Sequence, residues 1–341
     1  MAKIAFLNRG ENYTPMEPTC VLEAYNRISP FINHTPLMRS SMLNEWLGHE
    51  ITFKVECFQK AGAFKTRGAL NTLLWLKENG ELPEKIVGFS SGNHAQAMAW
   101  SARKLGIKAT IFLPSFTSKI KQQATKSYGA EVVLTETRQL AEAGAKEMVE
   151  REGAYYLPPY DHDMVIAGQG TSCFEALREN TNPDAVFATC GGGGWLSGTY
   201  LATQLLSPKT LVFGGEPLNA NDAARSKRDG KIFAFDRSPD TIADGGRALA
   251  VSERTFHYIK KVNDIIEVPE AEIIYWTQWL NHLLKATVEP TSAVAMAAAA
   301  KWLKTQTEKQ KVLVLLSGGN IDPETHRKIW ADNYLETLPT K

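Results

Sequence analysis

The sequence predicts an α/β fold built on parallel sheets. Short apolar runs rich in Val, Ile and Phe recur at 86–89, 109–113, 131–134, 185–190, 211–213 and 312–316. They lack strict alternation, as strands buried on both faces do. Stretches of helical character lie between them, at 95–105, 119–128, 138–150, 171–179 and 195–205. Strand and helix in succession give right-handed crossovers and a parallel sheet. The third observation is where the strands stop. The run 86–89 ends in Ser90-Ser91-Gly92-Asn93, 185–190 in Gly191-Gly192-Gly193-Gly194, and 312–316 in Ser317-Gly318-Gly319-Asn320. Ligands of open α/β sheets bind at the carboxyl ends of strands, so the three loops point to one kind of place.

A chain of 341 residues is comfortable for two domains. With 38 basic and 37 acidic residues, a bulk electrostatic grip on nucleic acid or on an anionic membrane is unsupported. Cys20, Cys57, Cys173 and Cys190 form no CxxC pair, which argues against a zinc site or a redox motif and for a reducing compartment. The N-terminus lacks the apolar stretch of a signal peptide. The longest apolar run, 293–300, is far short of the roughly 20 residues that span a bilayer, and reads as a close-packed helix. The expected location is the cytoplasm.

The tetraglycine directly follows a strand and directly precedes a helix. Glycine gives up more backbone entropy on ordering than any other residue, so four in a row call for a reason. Converging backbone N–H groups at a helix N-terminus bind anions, and a phosphate is the natural occupant; the bland alternative is a flexible loop. The loop is neither a P-loop nor a dinucleotide fingerprint. In Ala63-Phe64-Lys65-Thr66-Arg67-Gly68, Lys65 opens a helix. A lysine there is ordinarily solvated, but Phe64 could supply an apolar wall that lowers the amine's pKa, the condition for attack on an aldehyde. Ser90, Ser91, Gly92, Asn93 and His94 read either as a helix cap or as a cluster of donors for a substrate carboxylate.

Lysine in an FK-x-RG context, SSGNH, GGGG and SGGN, in that order, resemble the pyridoxal-phosphate (PLP)-dependent serine/threonine dehydratase family, which includes serine racemases and hydroxyaspartate dehydratases. The resemblance runs from about Asn33 to Asn320. Supporting pieces are Lys54-Val55-Glu56, the segment 166–171, the segment 241–245 and Val288-Glu289-Pro290.

The resemblance implies the tryptophan-synthase-β-like fold (PLP fold type II): two open twisted α/β domains with the cofactor in the cleft. The large domain would comprise 1–84 and 161–341, and the small inserted domain 85–160. Lys65 would carry PLP as a Schiff base and, once released, act as the base at the substrate's α-carbon. Gly191, Gly192, Gly193 and Gly194 would cradle the phosphate. Asn93 would meet the phenolic oxygen, Phe64 would pack on the ring, and Ser317 would meet the pyridine nitrogen, leaving it largely neutral and suiting prompt loss of a β-hydroxyl. Ser91 sits where serine racemases place a second base. Glu216, the Ala220 carbonyl and Asp222 resemble a family Mg²⁺ or Ca²⁺ site, with Asn221 where a further acid is common. The implied activity is elimination of water from a serine- or threonine-type amino acid, giving a keto acid and ammonia, in a homodimer.

Trp195 departs from the smaller aliphatic residue common in the family. Trp195 and the aromatic segment 275–279 are either core or the wall of a pocket for a larger substrate. Racemisation is the near alternative. Cysteine synthases differ in showing SGNTG, and a non-catalytic PLP-binding protein is disfavoured by the joint presence of Lys65, Asn93 and Ser317.

Overall fold

The computed structural model describes residues 13–90, 92–179 and 182–340. Among them are ten strands: β1 (Leu37–Met38), β2 (Glu50–Val55), β3 (Lys85–Phe89), β4 (Lys108–Pro114), β5 (Glu131–Thr135), β6 (Tyr155–Tyr156), β7 (Ala185–Thr189), β8 (Leu211–Pro217), β9 (Asp264–Val268) and β10 (Lys311–Leu316). They form two sheets, of order β1-β2-β10-β7-β8-β9 and β5-β4-β3-β6. All pairings are parallel except the antiparallel pair β1–β2.

The parallel sheets follow from burial on both faces. In β7 and in β10 from Val312 onward every residue is buried. One face of the larger sheet packs on helices Glu270–Leu284 and Pro290–Leu303, with Phe53, Phe187 and Val314 against Trp276, Met296 and a run of alanines. The other face packs on helices Asp163–Arg178 and Gly194–Leu206. The smaller sheet has its own apolar cluster around Ile86, Met98 and Ile111.

Several elements, β1, β6 and β9 among them, go beyond the sequence reading, and two have an instructive cause. Strand β2 escapes that reading because Lys54 and Glu50 break the apolar pattern; Lys54 is nevertheless fully buried, paired with Glu175 at 2.9 Å and donating to the Thr35 carbonyl at 2.6 Å. The helix read as 171–179 begins eight residues earlier, at Asp163. Gly168 and Gly170 hide it, and they sit inside it for contact reasons. A Cβ on Gly170 would lie 2.5 Å from the Gly198 carbonyl oxygen, so this helix and Gly194–Leu206 cross with backbones nearly touching.

Lys121, from helix Lys119–Ser127, donates to Asp244 at 2.6 Å and lies 3.6 Å from Asp322, tying the smaller sheet's segment to the larger. Among the described residues no helix is long and apolar enough to cross a membrane.

Candidate active site

The loops after β3, β7 and β10 converge, and hydrogen bonds trace the convergence. The Phe64 N–H donates to the Ser317 carbonyl at 3.0 Å, and Ala63 bridges Gly318, so the start of the Lys65 helix is stitched to the end of β10. The Lys65 amine donates to the Pro159 carbonyl at 2.7 Å. The next residue, Tyr160, lays its ring over the tetraglycine: a Cβ on Gly192 would fall 2.3 Å from a ring carbon. Pro159-Tyr160 therefore joins the lysine to the glycine loop.

The loop is built to leave N–H groups free. Gly193 has φ +86°, a left-handed conformation that side chains rarely adopt, and a Cβ there would strike Thr255 and Ile259. The helix Gly194–Leu206 that follows has no side-chain cap. Thr255 anchors the loop by donating to the Gly192 carbonyl at 2.9 Å. Four glycines at an uncapped helix N-terminus, packed too closely by their neighbours to carry side chains, fit a phosphate at their N–H groups, and Lys65 beside them fits an aldehyde. Burial pulls the Lys65 amine down to about 8, against a partial upward pull from Glu289. The residues present therefore fit PLP.

Across from the glycines lies a polar cluster. Asn93 Nδ2 donates to both oxygens of Glu289 at 3.0 Å, and Ser317 Oγ donates to Glu289 Oε1 at 2.7 Å. Asn320 donates to Asn93 Oδ1 at 2.8 Å. Glu289 is the functional candidate the sequence reading left without a role. Its signal was there: an acid directly before Pro290, at the N-cap of helix Pro290–Leu303. Burial, then Asp244, pushes its carboxyl up to about 7, against the hydrogen bonds from Asn93 and Ser317.

The pH consequence of that shift has a definite sign. Between its ordinary value of 4.5 and about 7, the folded chain keeps a Glu289 proton that the unfolded chain releases. Stability of the cofactor-free chain therefore falls as pH rises through this window. In Glu289→Gln the decline is expected to be shallower, by up to about 3 kcal/mol. Urea unfolding at several pH values checks this; an unchanged slope refutes it.

Ser90 and Gly92 flank the start of the helix that begins at Asn93, and a Cβ on Gly92 would meet nothing within 4 Å. Ser91 lies outside the described residues. The His94 ring turns inward, with Nε2 2.9 Å from the Leu157 carbonyl oxygen, and burial lowers its pKa to about 3, so it is neutral. What His94 retains for a carboxylate is its backbone.

Phe64 stacks on Trp195, with centroids 4.1 Å apart and planes 12° off parallel, and Trp195 Nε1 donates to Ser172 Oγ at 2.8 Å. Trp195 thus backs Phe64. The aromatic segment 275–279 is core and tail contact: Tyr275 and Trp279 both donate to the Thr337 carbonyl, and Trp279 packs edge-on against Trp46. The pocket-wall alternative for that segment is set aside.

Among the described residues no group of three or more His, Cys, Asp or Glu gathers to hold a metal. Glu216 and Asp222 form a pair only. Glu216 accepts from the Ala223 and Ala224 N–H groups, and neither Asp222 oxygen has a hydrogen-bond partner among the described residues. Burial, with Asp222 adding to it at Glu216, raises both carboxyls above the usual range.

The chain is similar in sequence and fold to known proteins. A model of the family described as "Pyridoxal-phosphate dependent enzyme" matches residues 28–318. The L-threo-3-hydroxyaspartate ammonia-lyase of Saccharomyces cerevisiae is 43% identical, over 89% of this chain and 92% of that protein. The serine racemase of Schizosaccharomyces pombe is also 43% identical, over 90% and 94%. Among solved structures, a T.th. threonine deaminase superposes with a TM-score of 0.84 at 39% identity, covering 90% of this chain and 99% of that one.

Proposed function

Because the chain belongs to the pyridoxal-phosphate dependent enzyme family, we propose that it eliminates water from a small β-hydroxy amino acid of the serine, threonine or 3-hydroxyaspartate type, releasing a 2-keto acid and ammonia. The observation that carries this reading is the Lys65 amine, buried and held against the Pro159 carbonyl between the tetraglycine and the Asn93–Glu289–Ser317 cluster.

Bound through Lys65, the cofactor supplies an electron sink that acidifies the substrate's α-carbon. The chain's residues do the rest. The N–H groups of Gly191–Gly194 would hold the phosphate, and Thr255 keeps that loop in shape. The backbone of Gly92, Asn93 and His94 would orient the substrate carboxylate at the helix that begins at Asn93. Phe64, backed by Trp195, would pack against the cofactor ring. Lys65, with a pKa of about 8, is substantially neutral near pH 8 and can take the α-proton. Tyr160 over Gly192 keeps water from the phosphate loop.

Racemisation is the second reading, favoured by the equal identity to the S. pombe serine racemase. It needs a proton donor on the opposite face, the role assigned to Ser91. The segment 85–160 is proposed as the smaller of two domains, and a homodimer as the working assembly.

The test is a panel of L- and D-serine, threonine, 3-hydroxyaspartate and phenylserine, assayed for keto acid, ammonia and inverted amino acid. Keto acid from one member supports the lyase, inverted amino acid alone makes the chain a racemase, and neither product overturns the reading.

We also propose a divalent cation beside the site. Glu216, Asp222 and the Ala220 carbonyl are all oxygen donors, which suits Mg²⁺ or Ca²⁺, and a cation would favour the ionised form of two carboxyls that burial holds toward the neutral one. Mg²⁺ at millimolar concentration is expected to raise the melting temperature by a few degrees, about 1–3 kcal/mol of stabilisation. Asp222→Asn should lose that response; no response in the parent chain removes the metal from the proposal.

A further inference from the structure

Gln169 is fully buried on helix Asp163–Arg178, inside the site, and neither the mechanism above nor the motif reading gives it a task. Its Nε2 donates to the Pro159 carbonyl oxygen at 3.2 Å, the same oxygen that accepts from the Lys65 amine at 2.7 Å. The amide's orientation is fixed by chemistry, because the reverse would set Oε1 against the Pro159 oxygen, acceptor to acceptor. Its Oε1 has no hydrogen-bond partner among the described residues and lies 2.9 Å from where a Cβ on Gly194 would be. Its Cγ lies 3.0 Å from the Cβ position of Gly68, on the helix that carries Lys65. The side chain is wedged between the lysine's helix, the lysine's acceptor and the end of the glycine loop.

We propose that Gln169 is a positioning residue for Lys65: by sharing the Pro159 oxygen it fixes the resting place of the free amine and limits how strongly that oxygen can stabilise the amine's charged form. The proposal rests on the reading of Lys65 as the cofactor lysine. A carbonyl oxygen accepts more weakly from each of two donors than from one alone. Hydrogen bonding to the charged form of a group favours that form. An oxygen reserved for Lys65 would hold an ammonium, whereas one shared with Gln169 leaves the neutral, nucleophilic amine.

The other groups facing Lys65 do not vary with this contact. Glu289 pulls the amine upward from the start of its helix. His94 is neutral, and burial pushes the Tyr160 phenol up to about 12, so it too is neutral. Asp161 is engaged by Arg254 at 3.2 Å.

The experiment measures the amine itself. The full-length chain, freed of PLP, is treated with trace acetic anhydride between pH 6 and 10, and acetylation at Lys65 is counted by mass spectrometry. The neutral amine forms the new N–C bond, acetate leaves, and the amine proton goes to solvent. Relative to the parent chain, the midpoint of the rate profile is expected to rise by about half a unit to one unit in Gln169→Leu. It should rise by more than one unit in Gln169→Glu, where a carboxylate faces the amine. Gln169→Glu is near-isosteric and keeps the test open if Gln169→Leu does not fold. Midpoints that coincide with the parent's in Gln169→Glu, or that fall, overturn the proposal and leave Gln169 as packing. Failure of the underlying reading is distinct: PLP added to the parent chain would then give no visible band dependent on Lys65, whatever the acetylation profiles do.

Discussion

Lys65→Ala is expected to lower the rate of keto-acid formation by at least about 10³-fold, because in the function proposed above one side chain would both carry the cofactor and move the α-proton. Among the described residues nothing nearby can replace it. His94 is neutral, with its Nε2 at the Leu157 carbonyl. The Tyr160 phenol is held up at about 12 by burial. Glu289 is bound by Asn93 and Ser317 and has no amine chemistry to offer. The Lys65 amine is one donor of two on the Pro159 oxygen, so its removal leaves that oxygen with Gln169 and the fold intact. The variant should therefore keep its near-UV circular dichroism and lose its cofactor band near ~410 nm together with activity. Methylamine should restore part of the rate. A variant retaining more than about a tenth of the parent rate would remove Lys65 from the chemistry.

Arg67→Ala is expected to destabilise the chain by about 3–5 kcal/mol. Arg67 has no solvent exposure and meets Glu56 at 2.6 Å and Glu175 at 2.8 Å, while Lys54 reaches Glu175 at 2.9 Å. Two cations and two anions balance in a dry site that ties β2 to the helices Lys65–Glu78 and Asp163–Arg178. Removing Arg67 leaves two buried carboxylates facing one ammonium. Arg67→Lys should recover little, because an ammonium cannot reproduce the paired N–H contacts to both carboxylates. The double variant Arg67→Met/Glu56→Gln leaves Lys54 with Glu175 as a neutral pair, and it should be more stable than Arg67→Ala alone. Urea midpoints decide this. A loss below about 1 kcal/mol in Arg67→Ala would mean that water enters the cluster.

Much of the fold was legible because buried parallel strands write themselves as apolar runs. The cores of β3, β4, β7, β8 and β10 stood out this way, whereas β5 reads as an apolar run but lies at a sheet edge with none of its residues fully buried. What stayed hidden did so for identifiable reasons. Strand β2 carries Lys54, whose charge reads as surface until Glu175 is set against it by the fold. Helix Asp163–Arg178 carries glycines that read as a break until Gly198 is brought against Gly170.

The candidate site divides in the same way. The sequence by itself determined its parts: a lysine opening a helix, a tetraglycine between strand and helix, and Ser/Asn loops at strand ends, each a local pattern with a local physical cause. Only the tertiary structure decided how the parts meet. Glu289 lies 196 residues from Asn93 along the chain, yet it takes both bonds of that amide and the Ser317 hydroxyl. Tyr160 covers Gly192, Trp195 backs Phe64, and Gln169 shares the acceptor of Lys65. Local propensity is written over a few neighbouring residues, whereas the burial that shifts a pKa and the contacts that aim a side chain come from distant segments packed together.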